Sequence, residues 1–397
     1  NQLETTVGSL TASSAGSVYL LEADDLTVGS VAVSVNRVGS AAGVSTVTDA
    51  AQADVRTSAN GNIVLRSTAG DLTLTDGNTD GVALSANGSG NVLVQAVNAG
   101  KSLTVNADVS TGTGNISVLA ARSVVFSGTA DIRTSSTAAG SGSVDVLAGT
   151  GSITQSATSV FLSTGASATA RLLAATSVTV GDIELTLGTV SITATAGAIL
   201  DADALVSSAN DPDQDITTSA LRLSAGTSIG ESVDHLETTV VTLSAEARNG
   251  SIYLLEADGI TIDDVGLSVN RVASDASTAT GSSTDAVQSD IRTTGGNGHI
   301  VLRTTAGAIT LNNGTAPGDD TALSANGTGN ILIQALGAGT DITVSADILS
   351  GSGHITIKAA DALNVSANIK TASVGTMSLV AGGELTQLGS TNSKVSF

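Results

Sequence analysis

Short runs along the chain alternate apolar and polar residues with period two, and a small or polar residue precedes most of them. The pattern Gly-x-(Val/Ile/Leu)-x-(Leu/Val/Ile) recurs at Gly61, Gly70, Gly90, Gly114, Gly142, Gly298, Gly329 and Gly353, and Gly307 opens a close relative. Looser versions are Ser102-Leu-Thr-Val105, Ser177-Val-Thr-Val180 and Ala308-Ile-Thr-Leu311. Period two is the mark of a strand with one buried face. The spacing predicts strands of about four to five residues, with centres roughly 8 to 12 residues apart. Gly, Asn, Asp and Ser fill the intervals, as tight turns require.

A longer repeat overlies the short one. Ser17-Val-Tyr-Leu-Leu-Glu-Ala-Asp24 returns as Ser251-Ile-Tyr-Leu-Leu-Glu-Ala-Asp258. Ser34-Val-Asn-Arg-Val38 returns at residues 268–272, GNIVLRSTAG at 61–70 as GHIVLRTTAG at 298–307, and ALSANGSGNVLVQA at 83–96 as ALSANGTGNILIQA at 322–335. The offset drifts between about 232 and 239 residues, so short insertions separate the matched blocks. A first copy over residues 1–235 is therefore expected to run without a break into a second, incomplete copy over 236–397. Residues 1–6 match the neighbourhood of 235–239, and residues 383–387 match 151–155. Both ends cut through a unit, and further copies in a longer parent protein are an expectation.

Composition decides between the two architectures that fit short, evenly spaced strands, a sandwich or barrel and a solenoid. The 397 residues include 45 glycines, 2 prolines, no cysteine, no tryptophan and few aromatics: 2 Tyr and 3 Phe. A closed core of that size draws on large aromatics, whereas stacked coils can be filled by Val, Ile, Leu and Ala. The predicted fold is therefore all-β, a right-handed parallel β-helix with about three short strands per coil. Right-handedness follows the crossover rule for parallel strands. Roughly 14 to 17 coils at an inter-strand spacing of about 4.8 Å give a rod about 65 to 85 Å long. Residues 39–52 and 273–288 alternate poorly and are expected to be loops protruding from the coil.

Charge and missing residue types exclude several functions. Lys plus Arg total 15 against 36 Asp plus Glu, a net charge of −21. Nucleic acid and anionic membrane surfaces require clustered positive charge and are not expected partners. No run of 18 apolar residues suggests a span of a bilayer. Without cysteine, disulfide frameworks and thiolate metal sites are out. No His-Glu-x-x-His or phosphate-binding loop is present in the sequence. Of the three histidines, His235, His299 and His354, the last two replace Asn62 and Asn115 of the first copy. A catalytic imidazole would not be exchanged for an amide, so all three are expected at solvated turns. The chain is not expected to be an enzyme.

Calcium is the remaining candidate ligand, and no other cofactor is expected. Asp211, Asp213 and Asp215 place carboxylates at alternate positions, like the opening of a Ca²⁺ loop, although Ile216 and Arg222 stand where glycine and glutamate belong. A plain surface turn is the competing reading. Asp24-Asp25, Asp263-Asp264 and Asp319-Asp320 are expected to be solvated turn acids. The recurring pairs Asp54–Arg56 and Asp290–Arg292, with Glu22 and Glu256 nearby, are expected at the surface.

Alternation also marks an outward face. If Val18, Leu20, Ile63, Leu65, Val92 and Val94 point inward, then Tyr19, Val64 and Leu93 point out, as do Tyr253, Val301 and Leu332 of the second copy. These six residues form either a lateral contact with a partner or fibre, or ground covered by the protruding loops.

The stretch LSAGTSIG at 223–230, LETT at 236–239 and GSIYLLEAD at 250–258 resembles repeats of filamentous-haemagglutinin-like adhesins and related giant β-helical bacterial exoproteins. The resemblance covers nearly the whole chain. It implies a right-handed parallel β-helix, secretion to the bacterial cell surface, and a role as a stalk or fibre in attachment or cell–cell contact. The expected partners are other copies of the chain, end to end or side by side, or a cell-surface ligand. A filament built by end-to-end stacking, and a carbohydrate-active β-helix enzyme, are the alternatives.

Overall fold

A computed structural model describes residues 2–138, 140–203, 213–315, 318–372, 374–387 and 395–396. Among them there is no helix, and the strands pair in parallel, coil upon coil, as a β-solenoid. On one face Val18–Glu22, Ile63–Ser67, Val92–Ala96, Ile116–Ala120, Ser143–Ala148 and Thr169–Ala174 stack in that order without a register shift. A second face stacks Leu26–Val28, Leu72–Leu74, Leu103–Val105, Val124–Phe126, Ile153–Gln155 and Val178–Val180. A third stacks Ala12–Ser14, Val55–Thr57, Val82–Ala86, Asp108–Thr111, Ile132–Ser135 and Val160–Thr164.

Because the register is unbroken, like positions lie over like. Val18, Ile63, Val92, Ile116 and Val144 form one interior column, and Leu20, Leu65, Val94, Val118 and Val146 its neighbour, all buried. One core runs from Val18 to Ile369. Each aliphatic side chain removed from water contributes about 1.5–3 kcal/mol. Two of the three phenylalanines, Phe126 and Phe161, meet edge to face inside it with centroids 4.7 Å apart.

The recurring glycine has a packing cause. A Cβ on Gly90 would lie 2.1 Å from the carbonyl oxygen of Gly61, and one on Gly114 would lie 2.0 Å from that of Gly90. The second copy repeats this, with 1.9 Å from Gly298 to the Gly250 oxygen and 2.0 Å from Gly329 to the Gly298 oxygen. Glycine stacks on glycine at this corner because the rungs approach too closely for any side chain.

Where the copies meet, strands change face. Leu236–Ala247 pairs with three later strands: Leu236–Thr238 with Leu254–Glu256, Thr242 and Leu243 with Thr261 and Ile262, and Ala245–Ala247 with Ile291–Thr293. The first copy begins the same way, with Leu3, Glu4 and Thr5 paired to Leu20, Leu21 and Glu22. The second copy thus resumes the pattern of the first from a different side of the coil.

The segments expected as protruding loops are antiparallel hairpins. In the first, Ser34–Val38 pairs with Val44–Thr48, closed at its base by Ser30–Val31 against Gln52–Ala53. In the second, Val265–Val269 pairs with Ser283–Gln288. Both contain enough Val, Ser and Thr to form strands once paired. Only the first projects; the second lies against the first copy. We call them the first and second arms.

The glycine packing makes a direct prediction. Gly329→Ala should lower the melting temperature, at a cost of more than about 1 kcal/mol. Gly43→Ala, with no atom within 4 Å of the added carbon, should change little. Equal losses at the two sites in thermal denaturation would refute close rung contact as the reason for the glycines.

Candidate functional site

Strand starts leave an amide at each corner that the strand pairing does not use, and side chains of the preceding rung accept from it. Asn62 Oδ1 accepts from the Asn91 amide at 2.7 Å, Asn91 Oδ1 from Asn115 at 2.8 Å, and Asn115 Oδ1 from Ser143 at 3.0 Å. In the second copy His299 Nδ1 accepts from the Asn330 amide at 2.9 Å, Asn330 Oδ1 from His354 at 2.8 Å, and His354 Nδ1 from Thr376 at 3.1 Å. Asn and His exchange because either offers an acceptor at the same reach. Acids do the same work elsewhere: Asp25 accepts from Asp71, Asp71 from Ser102, and Asp347 from Asn368, at 2.8, 2.7 and 2.9 Å.

The expectation that Glu22, Glu256 and Asp54 lie at the surface is corrected by their burial. Glu22 and Glu256 are fully buried. Glu22 accepts from the Thr5 hydroxyl and from the Val7 and Ala23 amides, and Glu256 accepts from Thr238, Val240 and Asp258. Burial dominates at Glu256 and raises it to about 7 despite those bonds. At Glu22, in the first coils, burial acts upward but the hydrogen bonds outweigh it, and the group lies below its ordinary value. Asp54 is likewise buried, and Arg56 bonds it at 3.0 Å as expected. Arg292 does not bond Asp290; it pairs with Glu246 at 2.7 Å. Asp290 Oδ1 is buried without a hydrogen bond, and burial, with Asp319 nearby, raises this group to about 7. His235 is not at a solvated turn: it is buried, stacked on Tyr253 at 5.7 Å, and lowered to about 4 by burial and Arg303.

Of the three candidate calcium ligands, Asp211 lies outside the described residues, Asp213 is exposed and Asp215 is buried. Asp215 turns to different partners. It accepts from the Glu237 amide at 2.8 Å, and ligand atoms of Asp201, Asp215 and Glu237 lie within 4.8 Å of one another. Register explains the crowding: Ile183 pairs with Ile216 and Ile216 with Thr238, so Asp182, Asp215 and Glu237 occupy successive rungs. Like charges at rung spacing disfavour ionisation. Burial, with Asp201 beside it, pushes Asp215 far above the usual carboxyl range, and burial, with Glu184 and Asp213 near, raises Asp182 to about 7. Such a set either shares protons or takes up a divalent cation. A second acidic set, Asp54, Asp76 and Asp80, has Arg56 bonded to two of its members. Asp76 there caps its own turn, accepting from the Asn78, Thr79 and Gly81 amides.

The outward apolar face is the most elaborated surface. Tyr19, Val64, Leu93 and Ser117 form one outward ladder, rung over rung. The second arm lies along it. Val272 and Ala276 of the arm pack on Val64, Leu93 and Leu119, with Tyr19 and Leu147 at the edge. Polar contacts fix the register. The Val272 amide donates to Ser117 Oγ at 2.9 Å, Asn91 Nδ2 to the Ala276 carbonyl at 3.1 Å, and the Tyr19 hydroxyl to the Asp275 carbonyl at 3.4 Å. Nearer the base, Arg271 pairs with buried Asp145 at 2.5 Å, and Arg171 joins Asp145 at 3.4 Å to Asp285 at 2.9 Å. Asp285 also accepts from Ser191 Oγ at 2.7 Å. The dimensions agree: the seven rung-to-rung steps from Tyr19 to Arg222, which bonds the Ala286 carbonyl of the arm, at about 4.8 Å each, and ten extended residues at about 3.4 Å both give about 34 Å.

The outward residues of the first copy, Tyr19, Val64 and Leu93, therefore meet an arm of their own chain. Those of the second copy, Tyr253, Val301 and Leu332, form the same ladder, continued by Thr356, and line a cleft of about 390 Å³ that no arm covers among the described residues. The clamp residues Arg171, Asp145 and Asp285 had no signal in the sequence, being 26 and 114 residues from one another in the two ion pairs. Arg271 was visible only as a repeated arginine. Comparison with known proteins gives no matching family model, no matching curated protein and no matching solved structure.

The buried acids predict an unusual pH response. Asp182, Glu256 and Asp290 have folded values near 7, above their unfolded ones, so between about pH 4.5 and 7 the fold binds more protons than the unfolded chain. Stability falls as pH rises through that window, by about 1.4 kcal/mol per pH unit for each group protonated only in the fold. His235 acts oppositely between its folded value of about 4 and its unfolded value of 6.5, but it is one group against several. Melting should therefore occur at lower temperature at pH 8 than at pH 5.5. Asp215→Asn should raise the pH 8 value by more than the pH 5.5 value. EDTA at matched ionic strength should leave wild type unchanged; a drop, abolished in Asp215→Asn, would assign the acidic set to a bound cation instead.

Proposed function

We propose that this chain is a structural segment of a large extracellular bacterial protein, an elongated stalk or fibre used in surface attachment or cell–cell contact. In this reading the coil is right-handed with three strands per turn, and the rod is about 65 to 85 Å long. Stacked coils share backbone ladders, so each coil's stability depends chiefly on its neighbours and accumulates along one axis. The observation that carries the proposal is the second arm. It runs over seven rungs of the first copy and is fixed by packing at its tip and by ion pairs near its base. A strap of that kind ties distant coils together and resists their separation, which a stalk under load needs. The acidic surface, at a net charge of −21, opposes indiscriminate clumping of long objects. No described helix is long and apolar enough to cross a membrane.

Immunogold electron microscopy of producing cells, with an antibody to this chain, should label thin extracellular fibres. Label confined to the cell interior, or release of reducing ends from acidic polysaccharides by the purified chain, would overturn the proposal.

A further inference from the structure

Beside the track that the second arm follows, another outward ladder runs up the first copy. Arg66, Gln95, Leu119 and Leu147 lie rung over rung, each one position along from inward Leu65, Val94, Val118 and Val146. With the side of the arm they enclose a cleft of about 550 Å³, and the arm from Arg271 to Ser282 supplies the opposite wall. The cleft opens to solvent at exposed Val97 and Gly149. From Arg66 to Leu147 it spans three rung steps, about 14 Å. Sites for small organic molecules have volumes of about 300–1,000 Å³, and this one falls among them.

The leucines of this ladder are not demanded by the coil. In the second copy the same positions read Arg303, Gln334, Lys358 and Val380, so a lysine serves where Leu119 stands. Charge in the cleft departs from the rest of the surface too. No acidic residue lines it, in a chain that carries 36. Arg271 is balanced by Asp145, and Arg171 by Asp285. Arg66 donates through Nε to Gln95 Oε1 at 2.8 Å and has no ion pair among the described residues. Gln95 gives its oxygen to that bond and keeps its amide nitrogen as a donor. One positive charge therefore stands at one end of the cleft without a counter-ion, and an aliphatic surface lies at the other.

This arrangement selects a class of ligand. No aromatic face is present to stack a ring. A divalent cation needs several oxygen ligands, and the lining has no carboxylate. A phosphate monoester, at about −2 near neutral pH, exceeds what one guanidinium balances. A carboxylate on an unbranched tail matches the single charge, the forked donors and the apolar length. We propose that the cleft binds an aliphatic monocarboxylate, its head on Arg66 and Gln95 and its tail along Leu119 and Leu147 beside the arm. The site needs only one arm seated on one first copy, so it goes beyond the stalk reading and does not depend on it.

Decanoate, kept below its micelle concentration, tests the site by titration calorimetry on the whole chain. It should bind saturably, one molecule per chain. Hexanoate, with a shorter tail, and decanol, without the charge, should each bind about tenfold more weakly or worse. Arg66→Gln should weaken decanoate binding by about tenfold or more with an unchanged melting temperature, whereas Arg37→Gln, at an exposed arginine outside the cleft, should leave it intact. Absence of saturable binding, equal binding of hexanoate or decanol, or full affinity in Arg66→Gln would overturn the proposal. Should Arg66→Gln melt early, the ratio of decanoate to decanol affinity on the unaltered chain decides: a tenfold preference sustains the site, and equality ends it.

Discussion

Rung-on-rung stacking at the spacing of parallel strands governs every other feature. At about 4.8 Å, a residue's main neighbour is the same position in the next coil. Apolar positions therefore become columns, and a small error in register would misplace all of them. The same closeness admits only glycine at the Gly61–Gly90–Gly114 corner. It also leaves amides at the strand starts that need acceptors, which the Asn, His and Asp ladders supply.

Stacking has an electrostatic cost where the repeated acceptor is an acid. Asp182, Asp215 and Glu237 follow one another up the coil, and burial with like charge nearby favours the protonated forms of Asp182 and Asp215. Part of the acidity that reads as solubility in the composition is thus withdrawn from solvent. Glu22 and Glu256 share a motif and similar hydrogen bonds, yet they shift in opposite directions, since burial outweighs the hydrogen bonds only at Glu256.

The second arm adds an interaction that stacking alone does not supply. A solenoid's contacts are between neighbours, so distant coils are linked only through those between them. By running back over seven rungs the arm links the base of the second copy directly to the start of the first. Its charged clamp is substantially buried: Asp145 is 0% exposed and bonded to two arginines. Removing one partner from such a cluster strands the others, at a cost of about 3–5 kcal/mol.

Period-two alternation and the near-identical blocks were enough to specify parallel coils, the aliphatic columns and the outward face carrying Tyr19 and Tyr253, because these depend on neighbours whose sequence is itself repeated. The burial of Glu22, Glu256 and His235 was not legible, since a strand-end residue points into the stack or away according to the turn beside it. The hairpins were missed because their Ala, Ser and Thr alternate weakly until strands pair. Above all, the burial of Val272 was not legible: its amide bonds Ser117, 155 residues away in the chain. Local sequence fixes what an arm is, whereas what it touches depends on which coils lie within its reach, and only the assembled stack decides that.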